Sequence, residues 1–245
     1  MVGLLLAQLL LAGSLLAAAP EKPPDAAAAR ARMVERIEAE AAASAALTAV
    51  PVLDPRVLEA MRTVPRERFV PAALRERAYE PGPLPVHPEQ NLAAPFLTAL
   101  MLHLAAVQPG DAVFETGTDT GYQAALLARL GARVASVEVL PELVAVARRL
   151  LDELVPGAVA LREGDGYDGW PERAPFAAIL VKEAVDHLPP PLLAQLAPGG
   201  RLVLPLGPAD GVQHLTLVVR GADDALTIRR VLPVRFAPFQ RGSRT

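Results

Sequence analysis

Val113-Phe114-Glu115-Thr116-Gly117-Thr118-Asp119-Thr120-Gly121-Tyr122 decides how the rest of this chain is read. Ala112, Val113 and Phe114 form a short apolar run that ends in an acid, Glu115. A loop with two glycines, Gly117 and Gly121, follows. Residues 122–130 are mostly Ala, Leu and Gln without Gly or Pro, so they read as helix. Strand, glycine loop, helix is a nucleotide-type arrangement. Glycine allows the tight turn and the close approach of a ligand, and the helix N-terminus offers free N–H groups to its polar part. A second apolar run, 133–137, ends in another acid, Glu138, 21 positions after Gly117. That is the spacing at which an acid reaches a pair of ribose hydroxyls.

The bulk properties narrow the classes. A chain of 245 residues suits one α/β domain with extensions, and 52% hydrophobic residues suffice for a sizeable core. Net charge is −3, which gives no electrostatic case for nucleic acid. The absence of cysteine excludes disulfides, zinc–thiolate sites, cysteine nucleophiles and lipobox lipidation. His87, His103, His187 and His214 are scattered, with no i,i+4 pair or clustered acids, so no metal site is expected. His103 lies in an apolar helical stretch and is expected to be a partly buried structural residue.

In chain order, residues 1–19 (MVGLLLAQLLLAGSLLAAA) read as a secretory apolar segment with a small-residue end, cleaved or kept as a tether. The run is shorter than the ~20 residues a spanning helix needs. Membrane contact is therefore expected only through this segment, if it stays attached. The expected location is exported or periplasmic; a start at Met33 would instead leave the protein in the cytoplasm. Residues 20–32 read as a Pro/Ala-rich linker, and 33–240 as the globular domain. A helix is expected over 30–49, and another from Asp54-Pro55 to before Pro65. The proline-dense stretch 65–95 reads as a loop layer over the strand ends. Helices are expected over 95–106, 141–154 and 192–196, and strands over 158–162, 176–181 and 201–206. An edge hairpin is expected over 212–220 and 226–236. With the two runs already described this makes a doubly wound, mostly parallel, seven-stranded α/β sheet with an antiparallel C-terminal edge hairpin and an N-terminal helical and loop extension. Ligands in such folds bind at the carboxyl ends of the strands. Glu115, Glu138, Asp165 and Lys182 fall there.

A series of blocks then resembles the protein-L-isoaspartate O-methyltransferase family, over roughly 33–239. They include Val64-Pro65-Arg66 with Arg68-Phe69-Val70-Pro71, Gly121-Tyr122-Gln123-Ala124-Ala125, and Ser136-Val137-Glu138. Gly164-Asp165-Gly166-Tyr167, Pro198-Gly199-Gly200-Arg201 and Leu232-Pro233-Val234-Arg235-Phe236 follow in the family's order. The resemblance implies a Rossmann-like class I methyltransferase fold and S-adenosylmethionine as methyl donor. The implied substrate is the free carboxylate of an isoaspartyl residue in a damaged peptide or protein, methylated for repair. It implies that Glu115, Gly117, Thr118, Asp119 and Gly121 lie along the cofactor, that Glu138 takes its ribose hydroxyls, and that Asp165 and Gly166 sit at its adenine. Val234, Arg235 and Lys182 are implied at the substrate. Trp170 and Tyr167 are expected to pack.

The chain also departs from the family. Ala93 stands where the family has a serine that hydrogen-bonds the substrate carboxylate, which leaves the Asn91 amide as the candidate catalytic donor. Asp119 replaces a glycine of the loop, either as a cap of the next helix or as a carboxylate that repels the donor's own. Ala177 replaces an aspartate. Lys182-Glu183 replaces small or hydroxyl residues, either as a solvated pair or as a changed chemistry. His87-Pro88-Glu89 replaces a stretch rich in glycine and aromatics. Two readings follow: an active carboxyl methyltransferase, or an exported, catalytically silent relative that binds peptides near Val234 and Arg235.

Overall fold

The computed structural model describes residues 25–88 and 90–239. The segment 1–19, read as a signal or anchor, lies outside the described residues, as does the start of the stretch read as a linker. That stretch turns helical at once where it is described. Asp25 accepts a hydrogen bond from the Ala27 amide at 3.0 Å and caps α1, Ala26–Ala43. The proline-free alanine run after Asp25 favours helix, so α1 starts four residues before the expected Arg30. It buries Met33, Val34, Ile37 and Ala41 along one face. The expected single helix breaks at Ser44. A short α2, Ala45–Thr48, follows and ends at Ala49 in the left-handed region. In α3, Pro55–Thr63, Asp54 caps through the Arg56 amide and Pro55 occupies the first turn.

The proline-dense stretch holds two 3-10 turns, Arg66–Phe69 and Ala72–Arg77. A small antiparallel hairpin of β1, Leu84–His87, and β2, Gln90–Leu92, follows. Next come α4 (Pro95–Ala105), β3 (Ala112–Thr116), α5 (Tyr122–Arg129), β4 (Arg133–Glu138), α6 (Pro141–Leu154), β5 (Val159–Glu163), β6 (Phe176–Leu180), α7 (Pro190–Gln195) and β7 (Leu196–Leu206). The last strands are β8 (Gln213–Arg220) and β9 (Leu226–Val234). β7 begins five residues before the expected Arg201, because Leu196 still pairs with Phe176. A register irregularity with Gly199 at φ +77° absorbs the Pro198-Gly199-Gly200 turn within the strand.

The seven strands lie in the order β5-β4-β3-β6-β7-β8-β9. The first five run parallel; β8 and β9 are antiparallel and close the edge. β3 is the middle one of the five parallel strands, and its side chains alternate between the two faces. Val113 joins the core made with α1, α3, α4, α5 and α6. Phe114 joins the core on the other face, with Phe176, Ile179 and Leu192. Strands covered on both faces are apolar throughout, and this carries the end of β3 and its glycine loop to one rim of the sheet. Among the described residues no helix is long and apolar enough to cross a membrane.

Phe114 and Phe176 pack with ring centroids 5.4 Å apart. Phe114→Ala is expected to lower the unfolding free energy by about 3–5 kcal/mol in a urea titration. Ile228→Thr, on the exposed outer strand β9, is expected to stay within about 0.5 kcal/mol.

Candidate functional site

The loop after β3 needs three left-handed backbone positions: Gly117 at φ +59°, Asp119 at +53° and Gly121 at +97°. Glycine at 121 is required twice over, since a Cβ there would lie 3.1 Å from Leu151 Cγ. Asp119 adopts a conformation that a residue with a Cβ seldom takes. Glu138 helps to hold the loop in place. Its Oε2 accepts from the Asp119 amide at 2.8 Å, and its Oε1 accepts from the amides of Val139 and Leu140 at 2.9 and 3.0 Å. The acid expected at a ribose thus also ties the glycine loop to the start of α6.

Asp119 does not cap α5. The N-cap position is Gly121, and the Asp119 carboxylate instead accepts from Lys182 Nζ at 3.2 Å. Nor are Lys182 and Glu183 a solvated pair at a strand end. The side chains of Lys182 and Asp119 are each 9% exposed, and Glu183 is buried. The Thr116 hydroxyl donates to Glu183 Oε2 at 2.6 Å. Glu183 Oε1 lies so close over Gly117 that a Cβ there would be 1.9 Å away. Two departures from the family therefore answer each other: the carboxylate placed in the loop meets an ammonium placed at the end of β6.

Glu115 accepts from the Ser136 hydroxyl at 2.8 Å through Oε1, while its buried Oε2 has no partner among the described residues. Burial pushes Glu115 up to about 7, against the pull of the Lys182 ammonium. Burial likewise pushes Glu183 up to about 7, against the Thr116 hydrogen bond. Burial opposes the charge of Lys182, but the carboxylates of Asp119, Glu115 and Glu183 outweigh it and hold Lys182 above its ordinary value.

A cavity of about 290 Å³ opens beside this cluster. Asn91, Ala93, Lys182, Glu183 and Arg235 are in its wall, as are Tyr122 and Gln123 from the start of α5. A narrow slot lies beyond, between Gly117, Val137, Gly166 and Phe239. Tyr122 Oη, Gln123 Nε2 and Arg66 Nη1 are buried without hydrogen-bond partners among the described residues. Arg66 is completely buried and donates to the carbonyls of Ala78 and Ala93 at 2.8 Å each, so it fixes the backbone of the loop that carries Asn91 and Ala93.

The structure gathers Glu115, Gly117, Thr118, Asp119, Glu138 and Gly166 around the loop. A Cβ at Gly166 would meet Thr116 Cγ2 at 2.8 Å, so this glycine serves a close backbone approach. Asp165 accepts from the Tyr167 amide at 2.9 Å. Asn91 and Arg235 reach the cavity, but Val234 is not in its wall; it ends β9 opposite Gln213 and packs on the core. The guanidinium groups of Arg162 and Arg173 lie over the Trp170 ring, and Tyr167 bonds His187. His103 is half-buried, and its Nδ1 accepts from the Asp54 amide at 3.0 Å. Among the described residues no group of three or more His, Asp or Glu could hold a metal. Sequence reading did not place Arg66, Tyr122 or Gln123 at a site, and it left Glu183 open between a solvated pair and a changed chemistry. Arg66 and Arg68 both stand between Pro65 and Pro71, so local pattern did not single out Arg66.

The family profile described as protein-L-isoaspartate(D-aspartate) O-methyltransferase matches residues 45–244. The chain belongs to the protein-L-isoaspartate O-methyltransferase family. It is 46% identical over 210 residues to protein-L-isoaspartate O-methyltransferase 1 of Cupriavidus necator, covering 86% of this chain and 81% of that one. It is 50% identical over 189 residues to a protein-L-isoaspartate O-methyltransferase of Anaeromyxobacter dehalogenans, covering 77% and 90%. A solved protein-L-isoaspartate O-methyltransferase superposes with a TM-score of 0.72 at 27% identity, over 85% of this chain and 65% of that one. The chain thus spans just under two thirds of that solved protein. Against these relatives of the O-methyltransferase family, the seven-stranded sheet with its antiparallel edge is the expected fold.

Lys182→Met strands the Asp119 carboxylate in a buried site and is expected to cost about 3–5 kcal/mol in chemical denaturation. Adding Asp119→Gly should recover most of that loss. The pH dependence has a definite sign. Between the ordinary carboxyl value of 4.5 and about 7, the folded protein keeps protons on Glu115 and Glu183 that the unfolded chain has released. Their contribution to stability is thus complete below 4.5 and is lost as pH rises through 7. The melting temperature is expected to fall from about pH 5 to pH 8, and the double variant Glu115→Gln, Glu183→Gln should flatten that slope.

Proposed function

We propose that this protein transfers a methyl group from S-adenosylmethionine to the free carboxylate of isoaspartyl residues in peptides or proteins. The observation that carries the reading is the placement of the family's glycine loop, through Asp119, at a cavity that Asn91 and Arg235 also line. The residues present suit the donor's chemistry. Gln123 Nε2, in the cavity wall at the start of α5, is a buried donor without a partner among the described residues, as a carboxylate wants. With Asp119 neutralised by Lys182, the loop carboxylate no longer argues against the donor's own.

When bound, S-adenosylmethionine supplies a methyl group on a sulfonium that departs as a neutral thioether. The acceptor needs no general base, because a carboxylate is ionised and nucleophilic at neutral pH. The protein's task is to hold the acceptor in line and to keep water out. The Asn91 amide and the Arg235 guanidinium border the cavity and can orient an acceptor carboxylate in place of the serine that is Ala93 here. The Arg66 hydrogen bond to the Ala93 carbonyl keeps that wall in register.

Incubation with methyl-labelled donor is expected to label an isoaspartyl peptide and not its aspartyl isomer. Asn91→Ala and Arg235→Ala should each lower kcat/KM for the peptide by about 10- to 100-fold, with donor affinity unchanged. Absence of both labelling and donor binding would overturn the reading.

A further inference from the structure

The cavity beside Lys182 and the slot beyond Gly117 share two wall residues, Gln90 and Glu183. Only Glu183 of the two is ionisable. Its carboxyl lies directly against Gly117 and accepts from the Thr116 hydroxyl at 2.6 Å. A two-part ligand that occupies both spaces passes its linking atom beside this carboxyl. In S-adenosylmethionine the linking atom is the sulfonium, which joins the adenosine half to the amino-acid half. Resting on the function proposed above, we infer that Glu183 is a specificity-determining residue that recognises the positive sulfonium and so favours the methyl donor over its neutral product.

The surrounding charges support the assignment. Lys182 is committed to Asp119 at 3.2 Å. Asp119 in the loop lines the same cavity, and Glu115 on β3 and Glu138 on β4 are buried acids of the same cluster. Four carboxyls therefore share one ammonium, and above about pH 7, where Glu115 and Glu183 have lost their protons, a cation arriving between the two cavities relieves the imbalance. S-adenosylhomocysteine has lost the sulfonium charge and gains nothing from Glu183. The selection acts on affinity: it draws in the charged donor and releases the thioether after transfer. The slot is narrow, about 10 Å³, and Glu183 stands in its wall. A mere plug would impede both ligands alike, whereas a selector separates them.

Calorimetric titration, at about pH 8, of S-adenosylmethionine and S-adenosylhomocysteine into wild type, Glu183→Gln and Glu183→Asp tests this. Wild type is expected to prefer the donor. Glu183→Gln, which keeps the shape and the Thr116 contact, should weaken donor binding about tenfold and leave the product within about twofold. Glu183→Asp keeps the charge and should retain part of the preference. Equal weakening or equal tightening of both ligands by Glu183→Gln would overturn the proposal, leaving Glu183 a loop prop or a plug. Wild type that methylates the isoaspartyl peptide without preferring the donor would overturn the selector while leaving the methyltransferase reading intact. Wild type that binds neither ligand would overturn both. Melting midpoints of the variants, measured alongside, separate loss of fold from loss of selection.

Discussion

One ammonium, that of Lys182, stands among four buried carboxyls, and the architecture of the site depends on that balance. Asp119 takes the direct ion pair at 3.2 Å. Glu115 and Glu183 are left with burial as their dominant influence and sit close to neutrality in their titration. Taking two opposite charges out of water is costly, and the cost is offset only where geometry is good and the remaining hydrogen bonds are met. Here Ser136, Thr116 and the amides around Glu138 meet several of them. What stays unmet is informative: one acceptor on Glu115 and donors on Gln123, Tyr122 and Arg66. These atoms lie near the glycine loop and the start of α5, where Tyr122 and Gln123 line the cavity.

The same balance explains how the chain departs from its family without losing the loop. A carboxylate in a glycine-rich turn carries two penalties, a left-handed backbone for a residue with a Cβ and a buried charge. Asp tolerates the first better than most residues, and Lys182 removes the second. Either change alone would be damaging; together they form a unit. Glu183 belongs to the same unit, since Lys182 and Glu183 follow β6 in succession and reach the loop from its far side.

The proline-dense extension contributes more than cover. Arg66 runs through the protein with its guanidinium hydrogen-bonded to two carbonyls and lying over the Tyr122 ring at 4.9 Å. It joins the segment before the sheet to the loop that borders the cavity and to the first residue of α5. Burial holds its basicity below the ordinary value, opposed by Tyr122. The wall that faces the acceptor is thereby fixed by an interaction between segments 27 residues apart in sequence.

From residue pattern alone came the alternation of apolar strands and helices, the seven strands, the loop at the end of β3 and the acids at the strand ends. These follow from local rules: period-two or continuous apolar runs, helix caps, and glycine where the backbone must turn. Pattern also located the departures at Ala93, Asp119 and Lys182-Glu183. It could not say what they do, because the answer lies in pairs far apart in the chain. Residues 119 and 182 meet only when β6 lies beside β3. Glu183 reaches Gly117 only because the strands end level. Val234, placed at the substrate by resemblance, is half-buried and packs against the core opposite Gln213, while Arg235 after it reaches the cavity. Local sequence determined the elements and their order. Tertiary structure decided which charges are buried together, since burial and Coulomb attraction depend on distance in space and not along the chain.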